Sequence, residues 1–252
     1  MMLGDPQAWK RRLVSLDERI LQRILYVWNG CVGRLQGQPE EDDITINLVD
    51  LLVNDPVVRT LCHWIEYQFE PFGIDDQGAT FSKGIIDLAV LLDWDRETYL
   101  PYECKRLNTV HQGKRSSLAT PYVNEGLMRF VTEQYAEGLP VGCMLGYVMD
   151  GDLPFGLQQV QAAITANATP LRARGGVTNG GALPSIERFS TGHERAGPTW
   201  IEVRHVLLPF AAIDLPRGGS GGWEPQKASN KTSNVSDFKR AAREHESKFS
   251  PK

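Results

Sequence analysis

Three apolar runs constrain this chain more than any other feature. Residues 84–92 (GIIDLAVLL), 98–106 (TYLPYECKR) and 141–150 (VGCMLGYVMD) are short, rich in aliphatic and aromatic side chains, and bounded by turn residues. Runs of this kind read as strands buried on both faces, the interior of a sheet covered by other layers. Two of them carry charges. Asp87 interrupts the first, and Glu103 and Lys105 interrupt the second. A charge on a core strand is costly unless something pairs with it.

The rest of the chain supplies covering layers. Ile20, Leu21, Ile24, Leu25 and Trp28 recur at helical spacing behind a Ser15-x-x-Glu18 capping box, which predicts a helix over 16–33. Ile44, Leu48, Leu51 and Leu52 mark a second helix that opens on Glu40, Glu41, Asp42 and Asp43 and stops at 54–56. Residues 63–70 alternate as a half-buried strand, and the turn DWDRE folds the first two apolar runs into an antiparallel hairpin. Leu118, Tyr122, Leu127, Phe130, Val131 and Tyr135 predict a long helix over 117–137. A strand, that helix and the run at 141–150 make a crossover between parallel neighbours. Pro154 opens another helix to about 168, residues 174–184 (RGGVTNGGALP) read as a flexible loop, and 185–192 with 199–208 as a late hairpin.

Composition narrows the class. A chain of 252 residues can bury a sizeable core without disulfide or metal staples. No apolar run reaches the length of a membrane span, and the first residues lack a secretory signal, so the expected location is the cytoplasm. Cys31, Cys62, Cys104 and Cys143 are scattered, with no metal-ligand spacing, and read as reduced core residues. The net charge of −4 is uneven: residues 217–252 carry eight Lys/Arg and four Asp/Glu, which leaves an acidic body. Such a body argues against an indiscriminate nucleic-acid binder, but is compatible with carboxylates that a cation neutralises. Segment 216–252 is poor in aliphatics and is expected to be a disordered basic tail, with a possible short helix behind Ser236. The expected organisation is an N-terminal helical segment at 1–39, a catalytic domain at 40–215 and this tail.

Side chains alternate along a strand, so Glu103 and Lys105 project together and Cys104 goes to the other face. In a hairpin, Asp87 can lie beside Glu103. Two carboxylates and an ammonium then converge, offering oxygen ligands for a hard divalent cation and a charge that orients water. The other reading is an ion-paired cluster on a wet sheet face. Asp87, fifteen intervening residues, then Glu103-x-Lys105, on an αβββαβ order over residues 40–150, resembles the PD-(D/E)xK (restriction-endonuclease-like) nuclease superfamily. Ile86 stands where the family's proline usually precedes the aspartate. The resemblance implies an α/β fold with a central mixed sheet, flanking helices and, here, the late hairpin. It also implies catalytic Asp87, Glu103 and Lys105, with Mg²⁺ (or Mn²⁺ in its place) on Asp87, Glu103 and the backbone carbonyl of Cys104. Some members add an acid from the preceding helix, for which Glu41 is the best match, with Asp42 and Glu40 behind it.

Other residues admit two readings each. Acids at a helix start suit the macrodipole without any function. Arg129 can pair with Glu125 on the helix surface or face the site and grip a phosphate, with Tyr122 one turn earlier on the same face. Arg106, His111, Lys114 and Arg115 lie just past the active strand, in a solvated loop or one that holds a nucleic-acid backbone. Glu66 and Glu70 are explained by strand alternation, and His193 and His205 by structural roles. The expected activity is a Mg²⁺-dependent endonuclease acting on DNA, by analogy in bacterial restriction or antiviral defence. The alternatives are a non-catalytic nucleic-acid-binding or structural subunit of a protein complex, and a phosphoesterase acting on a small nucleotide.

Overall fold

The computed structural model describes residues 6–180, 185–196 and 199–213. In chain order the elements are α1 (Pro6–Gly33), α2 (Glu41–Val53), α3 (Val58–Leu61), β1 (Trp64–Phe69), β2 (Phe72–Ile74), β3 (Thr80–Ser82), β4 (Ile86–Leu91), β5 (Tyr99–Leu107), β6 (Thr109–His111) and β7 (Lys114–Ser116). They continue with α4 (Ala119–Pro121), a π-helical turn (Tyr122–Leu127), α5 (Met128–Val131), β8 (Val141–Val148), α6 (Leu153–Ala166), β9 (Ala173–Asn179), β10 (Glu187–Glu194) and β11 (Trp200–Pro209). The three apolar runs are β4, β5 and β8.

The architecture is mixed α/β. Seven strands form one sheet in the order β1-β4-β5-β8-β11-β10-β9. β8 runs parallel to both β5 and β11, and the other neighbours are antiparallel. β8 is buried along its whole length, which explains why its sequence shows no alternation. The faces of β5 separate cleanly. Leu100, Tyr102 and Cys104 join the core beneath α1 and α2, whereas Tyr99 and Leu107 join the core beneath the π turn, α5 and α6. Glu103 and Lys105 share the parity of the second set.

Several expectations are corrected. α1 starts ten residues earlier than the periodicity from 16 suggests. Leu13 extends the buried stripe, and Glu18 does not cap but pairs with Arg188 and Arg204. α1 and α2 bury their stripes in one cluster, so residue 39 is not a packing boundary. The helix expected over 117–137 ends at Val131 and is π-wound in its middle. Its end has a physical cause: the Arg195 guanidinium, 3% exposed, donates to the carbonyls of Phe130, Tyr135, Ala136 and Leu139. Those bonds hold the following segment in turns rather than helix. Residues 174–179 of the expected loop belong to β9, an edge strand that pairs with β10, and β6 and β7 form a small hairpin where a loop was expected. The tail at 216–252 lies outside the described residues. The four cysteines are unpaired. Among the described residues no helix is long and apolar enough to cross a membrane.

A buried run of hydrogen bonds ties the π turn to the far half of the sheet. His193 Nδ1 lies 2.9 Å from the Leu171 carbonyl, which can only accept, so this nitrogen donates. Burial lowers both histidine pKa values and keeps both rings neutral. With neutral rings the other directions follow: Thr191 Oγ1 donates to His193 Nε2 at 2.7 Å, His205 Nε2 donates to Thr191 Oγ1 at 2.9 Å, and Tyr122 Oη donates to His205 Nδ1 at 2.9 Å. Thr191→Val keeps the side-chain volume but orphans one nitrogen on each ring. Urea unfolding above neutral pH should show a loss of about 1–3 kcal/mol per orphaned nitrogen, with Thr191→Ser within about 1 kcal/mol of wild type. A valine variant as stable as wild type would show that these bonds are not made.

Candidate active site

β4 and β5 stay in register only as far as Leu88↔Tyr102. Beyond that pair, the Cys104 N–H donates to the side chain of Asp87, at 2.7 Å from Oδ2, rather than to a strand carbonyl. Glu103 and Lys105 project together. Gly126 of the π turn lies against both: a Cβ there would stand 3.5 Å from Glu103 Cγ and 3.6 Å from Lys105 Cγ.

Charge converges on the Lys105 ammonium. It donates to Glu41 Oε1 at 2.9 Å and to the Cys104 carbonyl at 2.8 Å, and is ion-paired with Glu103 Oε1 at 2.9 Å. Asp87 Oδ2 stands 4.0 Å away. Glu41, the first residue of α2, is fixed by its second oxygen, which accepts from the Arg106 N–H at 2.9 Å. From the opposite layer, Arg129 Nη1 donates to Glu103 Oε1 at 2.9 Å and to Tyr135 Oη at 2.7 Å. The Tyr135 hydroxyl donates in turn to the carbonyl of Ile85, two residues before Asp87. Tyr135 thus braces both the Glu103 pair and the start of the strand that carries Asp87.

Burial dominates protonation here. Glu103 is 0% exposed. Burial, then the Asp87 charge, push it from an ordinary 4.5 up to about 8, against the pull of Lys105 and Arg129. Asp87 is also raised, chiefly by burial, with Lys105 and the Cys104 N–H opposing. Burial alone would lower Lys105, but Glu103, Glu41 and Asp87 outweigh it and hold the ammonium charged.

The donors suit a hard cation. Glu103 Oε2 is buried and accepts no hydrogen bond. With the Asp87 carboxylate and the Cys104 carbonyl it makes an all-oxygen set of the kind Mg²⁺ takes. Among the described residues no cluster of three or more His, Cys, Asp or Glu side chains is arranged to hold a metal, so a cation here would rest on two carboxylates and a main-chain oxygen.

The structure therefore brings together Asp87, Glu103, Lys105, Glu41 and Arg129. It does not bring Tyr122, which is sealed in the core on His205 and cannot touch a substrate. The Arg106 guanidinium turns away to Pro39 O and Glu40. Arg115 pairs with Asp150 and Asp152 and lies over Phe155, while Lys114 and His111 are exposed on the β6–β7 hairpin. Glu66 pairs with Arg96 at 2.9 Å. Glu70 borders an open depression with Asp87 and Arg129. Tyr135, Gly126 and Arg195 carry no signal of their role in the sequence, beyond Tyr135 closing the helical stripe.

No family model matches the chain, and neither the curated proteins nor the solved structures contain a match.

A carboxyl whose folded pKa lies above its unfolded value is held protonated. Its contribution to stability is full below 4.5 and is lost as pH rises through about 8. A divalent cation takes only the ionised form. Mn²⁺ affinity should therefore climb with pH and level off above about 8, with proton release on binding below that point. Calorimetry in buffers of different ionisation enthalpy measures both. Affinity that is flat from neutral pH upward, with no proton released, would place the cation away from Glu103.

Proposed function

We propose that this protein is a metal-dependent nuclease of the PD-(D/E)xK type that hydrolyses phosphodiester bonds in DNA. The observation that carries the reading is the meeting of Asp87, Glu103 and Lys105 where β4 and β5 part, with one buried Glu103 oxygen left bare. Asp87, Glu103 and the Cys104 carbonyl would hold Mg²⁺ or Mn²⁺. When bound, the cation supplies Lewis-acid polarisation of the phosphate and a more acidic water. The chain's own groups do the rest. Lys105, held charged between Glu41 and Glu103, orients the attacking water through an N–H. Arg129, half free of Glu103 and open to solvent, steadies a phosphate oxygen with its planar fork. Glu41 keeps the lysine aimed and is itself fixed by the Arg106 amide. A role in restriction or antiviral defence rests only on analogy with the family.

One observation favours a non-catalytic alternative. Lys105 already donates to two protein oxygens and is ion-paired with Glu103, the pattern of a structural ion-pair network.

Two substitutions separate these readings. Glu103→Ala should abolish cleavage and weaken Mn²⁺ binding, because a ligand oxygen is lost. Lys105→Ala leaves the ligand oxygens in place and removes a competing cation. It should bind Mn²⁺ at least as well as wild type, yet cleave at least about a hundredfold more slowly, the scale of a lost positioned proton-transfer group. Calorimetry, and cleavage of plasmid, single strand, RNA and free nucleotides with Mg²⁺ or EDTA, give the readouts. Full activity in Lys105→Ala, or none in wild type on any of these, leaves the structural network as the answer.

A further inference from the structure

Gln68 occupies an unfavourable conformation beside the carboxylates. Its φ is +54°, the left-handed region that a Cβ disfavours and glycine enters freely. The pairs Tyr67↔Leu88 and Phe69↔Ile86 flank it, so Gln68 stands across from Asp87. In an unbroken strand Tyr67 and Phe69 would share a face. Here Tyr67 packs against the core beneath α1 and α2, whereas Phe69 lies in the other core, 4.8 Å from the Tyr99 ring. The reversal happens at Gln68. A glycine would make the same reversal at less steric cost, yet the chain places a long carboxamide there, exposed beside the site.

A second carboxamide meets it. Gln68 and Gln134 both line an open depression of about 450 Å³ that has Asp87 and Arg129 at one side. Gln134 rests on bare backbone: a Cβ on Gly84 would come within 2.6 Å of its Nε2. Ile85, 48% exposed, gives the same depression an apolar surface, and Glu70 gives it an acceptor. The volume suits one small ligand group. The charge does not suit a second phosphate, because Glu70 and Asp87 face a single cation, Arg129.

We infer that this depression is a base-reading pocket, which takes the nucleobase next to the phosphate held at Asp87 and Arg129. The inference rests on the nuclease reading for which end of the depression holds phosphate. Each carboxamide offers a donor and an acceptor, the pairing that reads base edges. Ile85 covers the face of the ring. Glu70 accepts from an exocyclic amine, so adenine, cytosine and guanine fit and thymine does not.

The test is calorimetric titration of the full chain with each of the four deoxynucleoside 5′-monophosphates, with Ca²⁺ present. Wild type should bind at least one of dAMP, dCMP and dGMP at least about tenfold more tightly than dTMP, the scale of one good base contact. Gln68→Gly, which relieves the backbone while removing the amide, and Gln134→Ala should each bring that ligand close to the dTMP level and leave dTMP unchanged. Arg129→Ala should weaken all four together. Equal affinities in wild type, discrimination that survives both glutamine substitutions, or no binding of any mononucleotide would overturn the pocket. A wild type that cleaves DNA but treats the four alike sinks the pocket alone. One that discriminates among them but never cleaves sinks the nuclease reading alone.

Discussion

A carboxylate with no exposed surface sits in the middle of this sheet, and much of the second layer is arranged around it. An ionised Glu103 with no partner would cost several kcal/mol in such surroundings. The fold answers with two cations on one oxygen, Lys105 from the same strand and Arg129 from the helix above. Neither cation is loose. Lys105 is shared with Glu41, and Arg129 is held by Tyr135. Tyr135 lies in a segment whose carbonyls are gathered by the buried guanidinium of Arg195. Among the described residues Arg195 forms no ion pair with a carboxylate, and burial lowers its pKa to about 10. A second buried charge thus serves to hold the support of the first.

The π turn belongs to the same arrangement. Helix packed over Glu103 and Lys105 must come close to their aliphatic stems, and Gly126 is where it does so. The i→i+5 bonding of a π segment, one residue longer than that of an α-helix, rotates the helical residues downstream of it. Tyr122 faces the core and joins the histidine chain, whereas Arg129 faces the carboxylates. Tertiary demands from two directions are met within eight residues.

This rotation also explains what the sequence could and could not reveal. β4, β5 and β8 are legible because burial on both faces leaves continuous apolar runs, and alternation on β5 is enough to put Glu103 and Lys105 together. Glu41 is reached only through the resemblance, since an acid at a helix start has a sufficient reason in the macrodipole, and Arg129 only through its i, i+4 spacing with Glu125 in the helix after β5. Tyr122 misleads, because a strict 3.6-residue period carries it onto the Arg129 face and a π turn breaks that phase. Tyr135 and Arg195 are illegible for another reason. Their roles depend on carbonyls brought together by the fold, and a carbonyl leaves no mark on residue identity. β9 is missed because an edge strand of Arg, Gly, Thr and Asn has no apolar signature of its own; its strand character comes from pairing with β10.

The site's charge state has its origin in the same geometry. Asp87, Glu103 and Glu41 against Lys105 and Arg129 leave one negative charge in excess when all are ionised. Burial resists that excess, which is why the proton goes to Glu103, the most buried of the three carboxylates, and why its pKa rises to about 8. A proton brings the cluster to neutrality. A divalent cation in its place would carry it one charge beyond, and a phosphodiester bears one negative charge to match. On the proposed reading, the same balance that makes the cluster costly to ionise would make it complementary to a cation and a phosphodiester together. A structural network needs no such deficit: a second lysine, or a glutamine at 103, would close the charge balance more simply. The network on the other face of the sheet shows that closure, with Asp17, Glu18 and Glu202 set against Arg204, Arg188 and Lys10, whereas the Glu103 cluster keeps one acid in excess beside a bare carboxylate oxygen.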